Sequence, residues 1–237
     1  MIFDKMTWKE IEAGLKKTKT VIVPVSPLEE HGPHLPVSTD YLTAYEIAKR
    51  AEKKTNIFLL PPIIIGVVNK GYLYPGSVSL SKSTFANAVY DICKSLSDTG
   101  FRKIIFLSGH WGGTHVSAFE KGIKRFLQGN KNIKIILTSV SMLEGDTKKQ
   151  ILGENIEKDK HAGEIETSRV LELSPKDVRK GKLVKEIPNY YKNITPEEVR
   201  RINKTGIYGD ATKATKEKGK KLAVAAVKKL VTIINGE

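Results

Sequence analysis

Four of the five histidines of this chain lie in three short segments that are rich in glycine or acidic residues, and His115 follows shortly after the second segment. The segments cover residues 29–34, 108–113 and 161–166, and Asp40 follows the first of them. Imidazole and carboxylate groups are common ligands of zinc, iron and manganese in proteins. We therefore expect a hydrolase with two divalent ions per subunit, Fe(II) and/or Zn(II), with Mn(II) as a further option. The candidate ligands are Glu29, His31, Asp40, His110 and Glu164.

The spacing within the segments indicates which side chains can act together. Glu29 and His31 are two residues apart, so an extended backbone turns both to one face. His161 and Glu164 are three apart, which places them on one face at the start of a helix. Asp40 is the candidate for a carboxylate shared by both ions, and the alternative is that it caps the helix that follows it.

The remaining polar residues of these segments are given other roles. We expect His161 to transfer the proton during catalysis, with Glu164 beside it. His34 is expected to orient the loop that carries Glu29 and His31 rather than to bind metal. Glu30 and Glu166 are expected on the opposite face, or in ion pairs with arginine or lysine.

Apolar runs alternate with helical patterns along the chain. Buried parallel strands are predicted at residues 21–25, 57–60, 63–67, 103–107 and 133–137. Helices are predicted at residues 41–54, 81–98, 113–127, 163–173, 195–203 and 210–234. This order predicts one α/β domain over residues 1–237, a three-layer sandwich around a mostly parallel central sheet. Two of the histidine segments directly follow predicted strands, so they should meet at the carboxyl edge of the sheet.

The composition restricts the function classes further. A net charge of +14 would attract a phosphorylated substrate or nucleic acid, or would simply be a solvated lysine-rich surface. A basic nucleic-acid-binding protein is the non-enzyme alternative, disfavoured because the basic residues do not alternate with aromatic ones. No run approaches the roughly 20 apolar residues of a membrane span, and no secretory signal begins the chain. With Cys93 as the single cysteine, we expect a cytoplasmic protein without membrane contact.

Five blocks of sequence, in order between Pro24 and Gly219, resemble the creatininase family of metal-dependent amidohydrolases. The blocks are PVSPLEEHGPHLPVSTD, YPGSVSLS, FLSGHWGG, HAGEIETS and GIYGDATKATKEKG. The resemblance implies an α/β sandwich, a binuclear metal site and a homo-oligomer. It also implies that four of the candidates are metal ligands, with the aspartate shared by both ions: Glu29, His31, Asp40 and His110.

Gly112 departs from the family pattern. Creatininase has a glutamate ligand two residues after the histidine that matches His110, and this chain has Gly112 there. A compensating carboxylate is then needed, for which Glu164 is the candidate, and creatinine is disfavoured as the substrate. Glu30 is a second departure, because the family often has glutamine at this place.

Three branches of the family compete as models for the activity. One opens creatinine, one trims a peptide in mycofactocin maturation, and one is an archaeal deformylase of a formylaminopyrimidine nucleotide. A Lys- and Ile-rich composition is typical of thermophilic archaea, and a phosphorylated substrate suits the positive charge, so we expect the deformylase. Trp111 and the loop 72–79 are expected to flank the pyrimidine, with Ser77 and Ser79 contacting its polar groups.

Overall fold

The computed structural model describes residues 1–68, 74–190 and 194–236. A parallel four-stranded sheet forms its centre, and the strands are β1 (Thr20–Pro24), β2 (Phe58–Leu59), β3 (Lys103–Ser108) and β4 (Lys134–Ser139). Their order across the sheet is β2-β1-β3-β4. In β1, Val21 pairs with Phe58 of β2 and with Ile104 of β3. Because all three strand pairs are parallel, the carboxyl ends of the four strands lie at the same edge of the sheet.

Helices cover both faces of this sheet. They are α1 (Trp8–Leu15), α2 (Thr39–Glu52), α3 (Lys82–Asp98), α4 (Gly113–Leu127), α5 (Val140–Leu152), α6 (Glu164–Leu173), α7 (Pro196–Ile202) and α8 (Lys216–Asn235). Helices α3 and α4 pack on one face, and α2, α5 and α8 on the other, with α6 against α8. A short antiparallel pair joins β5 (Lys185–Glu186) to β6 (Gly209–Asp210). The three-layer α/β sandwich predicted from the sequence is confirmed.

The strands are apolar on both sides because each side meets a layer of helices. Val21 and Val23 of β1 pack with α3 and α4, whereas Ile22 packs with α2 and α8. In β3, Ile104 packs in the layer with α3 and α4, and Ile105 packs in the layer with α2 and α8. These side chains are fully buried, and each such burial stabilises the fold by about 1.5–3 kcal/mol. The core thereby fixes the strand ends from which the polar segments emerge.

Some predicted elements differ from those in the structure. Residues 63–67 do not form a strand: Ile63 makes a single bridge to Val25, and the backbone groups that follow bond elsewhere, Gly66 O with Leu80 N and Val67 N with His115 Nδ1. Helices α1 and α5 were not predicted. The last helix begins at Lys216 rather than at residue 210, because Ala211–Lys213 form a separate 3-10 turn. Among the described residues, no helix combines the length and apolar character that crossing a membrane would require.

Candidate metal centre

Six polar side chains from four parts of the chain meet beyond the carboxyl ends of β1 and β3. Two come from the loop after β1, one from the first turn of α2, one from the turn after β3, and two from just before and within the first turn of α6: Glu29, His31, Asp40, His110, His161 and Glu166. Their ligand atoms form three groups in which every atom lies within 4.8 Å of the others. Asp40 belongs to two of these groups, one with Glu29 and His110, the other with His31 and Glu166.

Asp40 lies between two histidines. Its Oδ1 is 3.4 Å from His31 Nε2, and its Oδ2 is 3.5 Å from His110 Nδ1. On the far sides, Glu29 Oε2 is 2.8 Å from His110 Nδ1, and Glu166 Oε2 is 3.6 Å from His31 Nε2. One carboxylate thus faces two separate sets of donors, which is the arrangement of a carboxylate shared between two ions.

Unpartnered buried atoms provide a test of whether this cluster fits metal ions. Glu29 Oε2, His31 Nε2 and Asp40 Oδ2 are buried, and within the described part of the chain their contacts with each other and with His110 lack the geometry of a hydrogen bond. Buried polar atoms are nearly always partnered, because leaving them without one is costly. His31 Nδ1 lies 3.0 Å from the Glu29 carbonyl oxygen, which can only accept a hydrogen bond, so Nδ1 carries the hydrogen. In the neutral ring, Nε2 is then the nitrogen with a free electron pair for a metal ion. The residues therefore fit a pair of divalent ions.

The electrostatics of the cluster favour cations as well. Burial lowers the pKa of His31 and His110, but the charges of Asp40 and Glu29 outweigh it and raise these values to about 9 and about 10 respectively. Burial likewise opposes the charge on Asp40, yet the two histidines hold its pKa below the usual range. Carboxylates that retain protons on neighbouring imidazoles in this way also attract metal ions, which displace those protons when they bind.

Glu164 and Glu166 exchange the roles predicted from the sequence. Glu164 does not reach the cluster: its Oε1 accepts a hydrogen bond of 2.7 Å from Lys218 of α8. Glu166, expected on the opposite face or in an ion pair, supplies the carboxylate near His31. It does also approach a cation, since Arg169 Nη1 lies 3.8 Å from its Oε1. We therefore replace Glu164 by Glu166 as the candidate ligand and as the carboxylate near the reaction centre.

The physical reason is the position at which α6 begins. The helix starts at Glu164, so His161 precedes it and the helical spacing of three residues does not apply between the two. Glu166 occupies the third helical position and turns back, where its Oε2 accepts a hydrogen bond of 2.6 Å from Ala162 N. A glutamate at this position commonly returns to the backbone before the helix, and this habit is the sequence feature that could have identified Glu166.

Two histidines outside the strand ends take different positions. His161 Nε2 lies 2.7 Å from the Glu30 carbonyl oxygen, and its ring centroid is 4.4 Å from that of His31. Burial opposes its charge, but Glu29, Glu30 and Glu166 outweigh this effect and raise its pKa well above the usual value. His34 belongs to none of the three ligand groups described above. Its Nε2 is 2.7 Å from Thr167 Oγ1, which ties the loop after β1 to α6.

The predicted substrate contacts separate in the structure. Trp111 lines a cavity of about 430 Å³ that contains Glu29, Asp40, His110 and Glu166. Ser77 and Ser79 instead bind backbone, because their Oγ atoms accept hydrogen bonds from the N–H groups of Glu30 and Val68. Residues 72 and 73 of the loop 72–79 lie outside the described residues.

A second cavity, of about 300 Å³, shares Glu29, His110 and His161 with the first. Its wall contains Tyr74, from the loop 72–79 expected to flank a substrate, and two tyrosines that the sequence did not single out, Tyr190 and Tyr208. Gly112 also lines both cavities. Residues of the cluster therefore line both an aromatic cavity and a cavity whose wall includes Lys148, Lys160 and Arg169.

A buried ion pair supports one side of the cluster. Arg169 donates from Nε and Nη2 to both carboxylate oxygens of Glu144, and both residues are buried. The remaining nitrogen, Nη1, faces Glu166 at 3.8 Å. Removing one partner of a buried ion pair strongly destabilises a protein, because the other charge is left without compensation. The pair with Glu144 therefore holds Arg169 in place, and Arg169 in turn faces Glu166.

Comparison with known proteins agrees with this geometry. The family model "Creatininase: Creatinine amidohydrolase" matches residues 4–234. The creatinine amidohydrolase of Pseudomonas putida is 26% identical over 98% of this chain and 95% of its own length. A mycofactocin precursor peptide peptidase of Mycolicibacterium smegmatis is 28% identical over 85% of this chain and 78% of its own. A solved structure described as "Creatininase Mn" superposes with a TM-score of 0.89 at 25% identity, covering 99% of this chain and 97% of that one. The chain belongs to the creatininase family of amidohydrolases.

Proposed function

We propose that this protein hydrolyses a formamide C–N bond and releases formate from 2-amino-5-formylamino-6-ribosylaminopyrimidin-4(3H)-one 5'-monophosphate, in archaeal riboflavin and coenzyme F420 biosynthesis. The observation that carries this proposal is the pair of cavities that share residues of the cluster in their walls. One is walled by tyrosines, which suit a planar ring, and the other has two lysines in its wall beside the carboxylates of the cluster, and a lysine suits an anion. A pyrimidine nucleotide has both of these parts.

The cluster supplies the residues for a binuclear site. Glu29, Asp40 and His110 would hold one divalent ion, and His31, Asp40 and Glu166 the other. Fe(II), Zn(II) or Mn(II) bound there would polarise the amide oxygen and provide a hydroxide nucleophile at neutral pH.

His161 is the residue that would deliver a proton to the leaving amine. Its Nε2 must donate to the Glu30 carbonyl oxygen, because that oxygen can only accept, and Nδ1 is left to exchange a proton. Burial opposes its charge, but the carboxylates of Glu29, Glu30 and Glu166 raise the pKa of His161 well above its usual value, which favours a ring that can donate a proton. Protonation is required because an amide nitrogen leaves poorly as an anion, and a positioned acid typically contributes about 10²–10⁴-fold to the rate.

The experiment measures formate release from the formylaminopyrimidine nucleotide. Protein purified without oxygen is loaded in turn with iron, zinc or manganese, and metal content is measured beside the rate. We expect release that depends on metal and stops with chelator. The variant His161→Ala should keep its metals but lose about 10²–10⁴-fold in rate. Two bound ions with no formate release for any metal would overturn the deformylase assignment.

Two further substrates belong in the same assay. A creatinine amidohydrolase and a mycofactocin precursor peptide peptidase are related to this chain over most of its length, so creatinine and short peptides are the alternative amides. Turnover of either with retained metal, together with no formate release, would assign that activity instead. Salt-sensitive binding of random oligonucleotides by metal-free protein would favour the nucleic-acid alternative.

A further inference from the structure

Lys148 is a cation that the proposed chemistry leaves without a role. It lies on α5, is half-buried, and lines the same cavity as Glu29, Asp40 and His110. Its Nζ donates a hydrogen bond of 3.1 Å to the hydroxyl of Ser141, which lines the cavity too. Among the residues that the structure describes, no carboxylate oxygen lies within 4.0 Å of this ammonium group.

The other two long cations of this cavity are already paired. Arg169 binds Glu144 with two hydrogen bonds, and Lys160 lies 2.6 Å from Glu157. Lys148, by contrast, contacts a neutral hydroxyl. Of these three cations, Lys148 is the one without a carboxylate partner among the described residues, and it is therefore the one able to bind an external anion.

The backbone of α5 carries Lys148 into this position. Gly145 interrupts the helix with φ 46° and ψ −120°, a conformation that side chains other than glycine rarely adopt. Seven residues of a straight helix would separate Ser141 and Lys148 by roughly 10 Å along the axis. With the interruption, their side chains meet within a hydrogen bond.

The surroundings leave the ammonium incompletely compensated. Burial lowers the pKa of Lys148, and Arg169 lowers it further, although Glu166, Glu144 and Asp159 oppose both effects. Each of these three acids is engaged elsewhere: Glu144 by Arg169, Asp159 by the N–H groups at the start of α6, and Glu166 by Ala162 N. Within the described residues Lys148 Nζ makes one hydrogen bond, to Ser141, so it has further N–H groups to donate to an incoming oxyanion.

We propose that Lys148 and Ser141 form an oxyanion subsite, which takes the phosphate monoester of the substrate. This inference rests on the proposed function, because the phosphorylated nucleotide supplies the anion. Lysine binds phosphate as a point charge and serine adds a neutral donor, which together suit a phosphate group at a cavity wall. The subsite would set specificity for the phosphorylated over the dephosphorylated substrate.

The test measures binding rather than turnover. Calorimetric dissociation constants of ribose 5-phosphate and ribose are determined with metal-loaded protein, for wild type, Lys148→Met and Lys148→Arg. The matched control is Lys149→Met, since Lys149 is the next residue on the same helix but is exposed and pairs with Asp146. We expect Lys148→Met to weaken ribose 5-phosphate binding about 10- to 100-fold, the usual effect of losing a hydrogen bond to a charged group. Ribose binding should not change, Lys148→Arg should retain most of the affinity, and Lys149→Met should match wild type.

A second variant and a second anion keep the result decisive. Ser141→Ala should weaken ribose 5-phosphate binding less than Lys148→Met does, and melting curves check that each variant is folded. A dipeptide with a free or an amidated C-terminus tests whether the subsite takes carboxylate instead. No preference of wild type for ribose 5-phosphate over ribose, equal binding by Lys148→Met, or a preference for the peptide carboxylate would each overturn the phosphate subsite.

Failure of this inference and failure of the proposed function give different results. Phosphate binding that depends on Lys148, without formate release, would remove the deformylase and keep the subsite. Formate release with an unchanged KM in Lys148→Met would keep the deformylase and remove the subsite. A raised KM with little change in kcat in that variant would support both.

Discussion

Replacing Glu166 or Glu164 by glutamine tests the arrangement of the metal centre directly. The two glutamates are two residues apart on α6, and only the carboxylate of Glu166 belongs to a group of possible ligands. Glutamine preserves size and removes the charge. Glu166→Gln should reduce the bound metal from two ions to about one, whereas Glu164→Gln should retain both.

The magnitude follows from the short distances in the cluster. The ligand atoms around Glu166 lie within 4.8 Å of one another. Two unit charges about 4 Å apart interact by about 4 kcal/mol at an effective dielectric constant of about 20, which corresponds to roughly 10³-fold in affinity. The amide oxygen of glutamine recovers part of this, so we expect a loss of about 100-fold for one ion. Glu164→Gln removes only the negative charge that pairs with Lys218, whose head is partly exposed, and should cost up to about 1 kcal/mol of unfolding free energy.

The assay is metal content by mass spectrometry after dialysis at a series of free-metal concentrations, together with urea unfolding. Unfolding separates a lost ligand from a lost fold, because Glu166→Gln should unfold near the wild-type midpoint when both are metal-free. Full metal retention in Glu166→Gln, or loss of metal in Glu164→Gln, would refute the ligand set derived from the geometry.

Two further predictions concern the backbone and the charge of the cluster. A Cβ at Gly109 would lie 2.1 Å from the Asp40 carbonyl oxygen, so Gly109→Ala should cost about 1–3 kcal/mol in urea unfolding and lower metal content. Gly113 has nothing within 4 Å of such a Cβ, and Gly113→Ala should stay within about 0.5 kcal/mol of wild type. The pKa values of His31 and His110 are raised to about 9 and about 10, above the ordinary value near 6.5. Their contribution to the stability of metal-free protein is therefore complete below about pH 6.5 and is lost as pH rises through 9 to 10. Melting curves should show this decline without metal and a smaller one with metal, and a flat metal-free profile would contradict it.

The strand ends were the part of the site that sequence could predict. Buried strands read as continuous apolar runs, and the polar residues that follow them must emerge at one edge of a parallel sheet. Glu29, His31 and His110 follow β1 and β3 in this way, and the structure brings them together with Asp40. Their convergence depends on the hydrophobic pattern alone, which a single sequence displays directly.

Sequence analysis was wrong, or made no prediction, for residues whose positions depend on where a helix begins or is interrupted. Glu164 and Glu166 point to different sides of α6, so which of them faces His31 depends on how the helix begins, and helix ends are the least certain part of a periodic pattern. Lys148 reaches the cavity through the interruption at Gly145, which a hydrophobic period does not reveal. Ser77 and Ser79 were expected at the substrate, but their hydroxyls satisfy backbone N–H groups, a demand that only the folded loop creates.

The candidate metal ligands and the candidate substrate contacts lie on different parts of the fold. The candidate ligands on strand ends are fixed by the most deeply buried layer of the fold, so the metal centre is expected to be the rigid part of the site. The groups that would recognise a substrate lie on α5, with its interruption, and on the tyrosine-lined wall of the second cavity. Changes in those segments could alter which amide is bound while leaving the donors around Asp40 in place. The relatives named for creatinine and for a precursor peptide are consistent with such a division, since one family carries both names. Substrate identity is therefore to be sought in residues such as Lys148 and Tyr208 rather than in the metal ligands themselves.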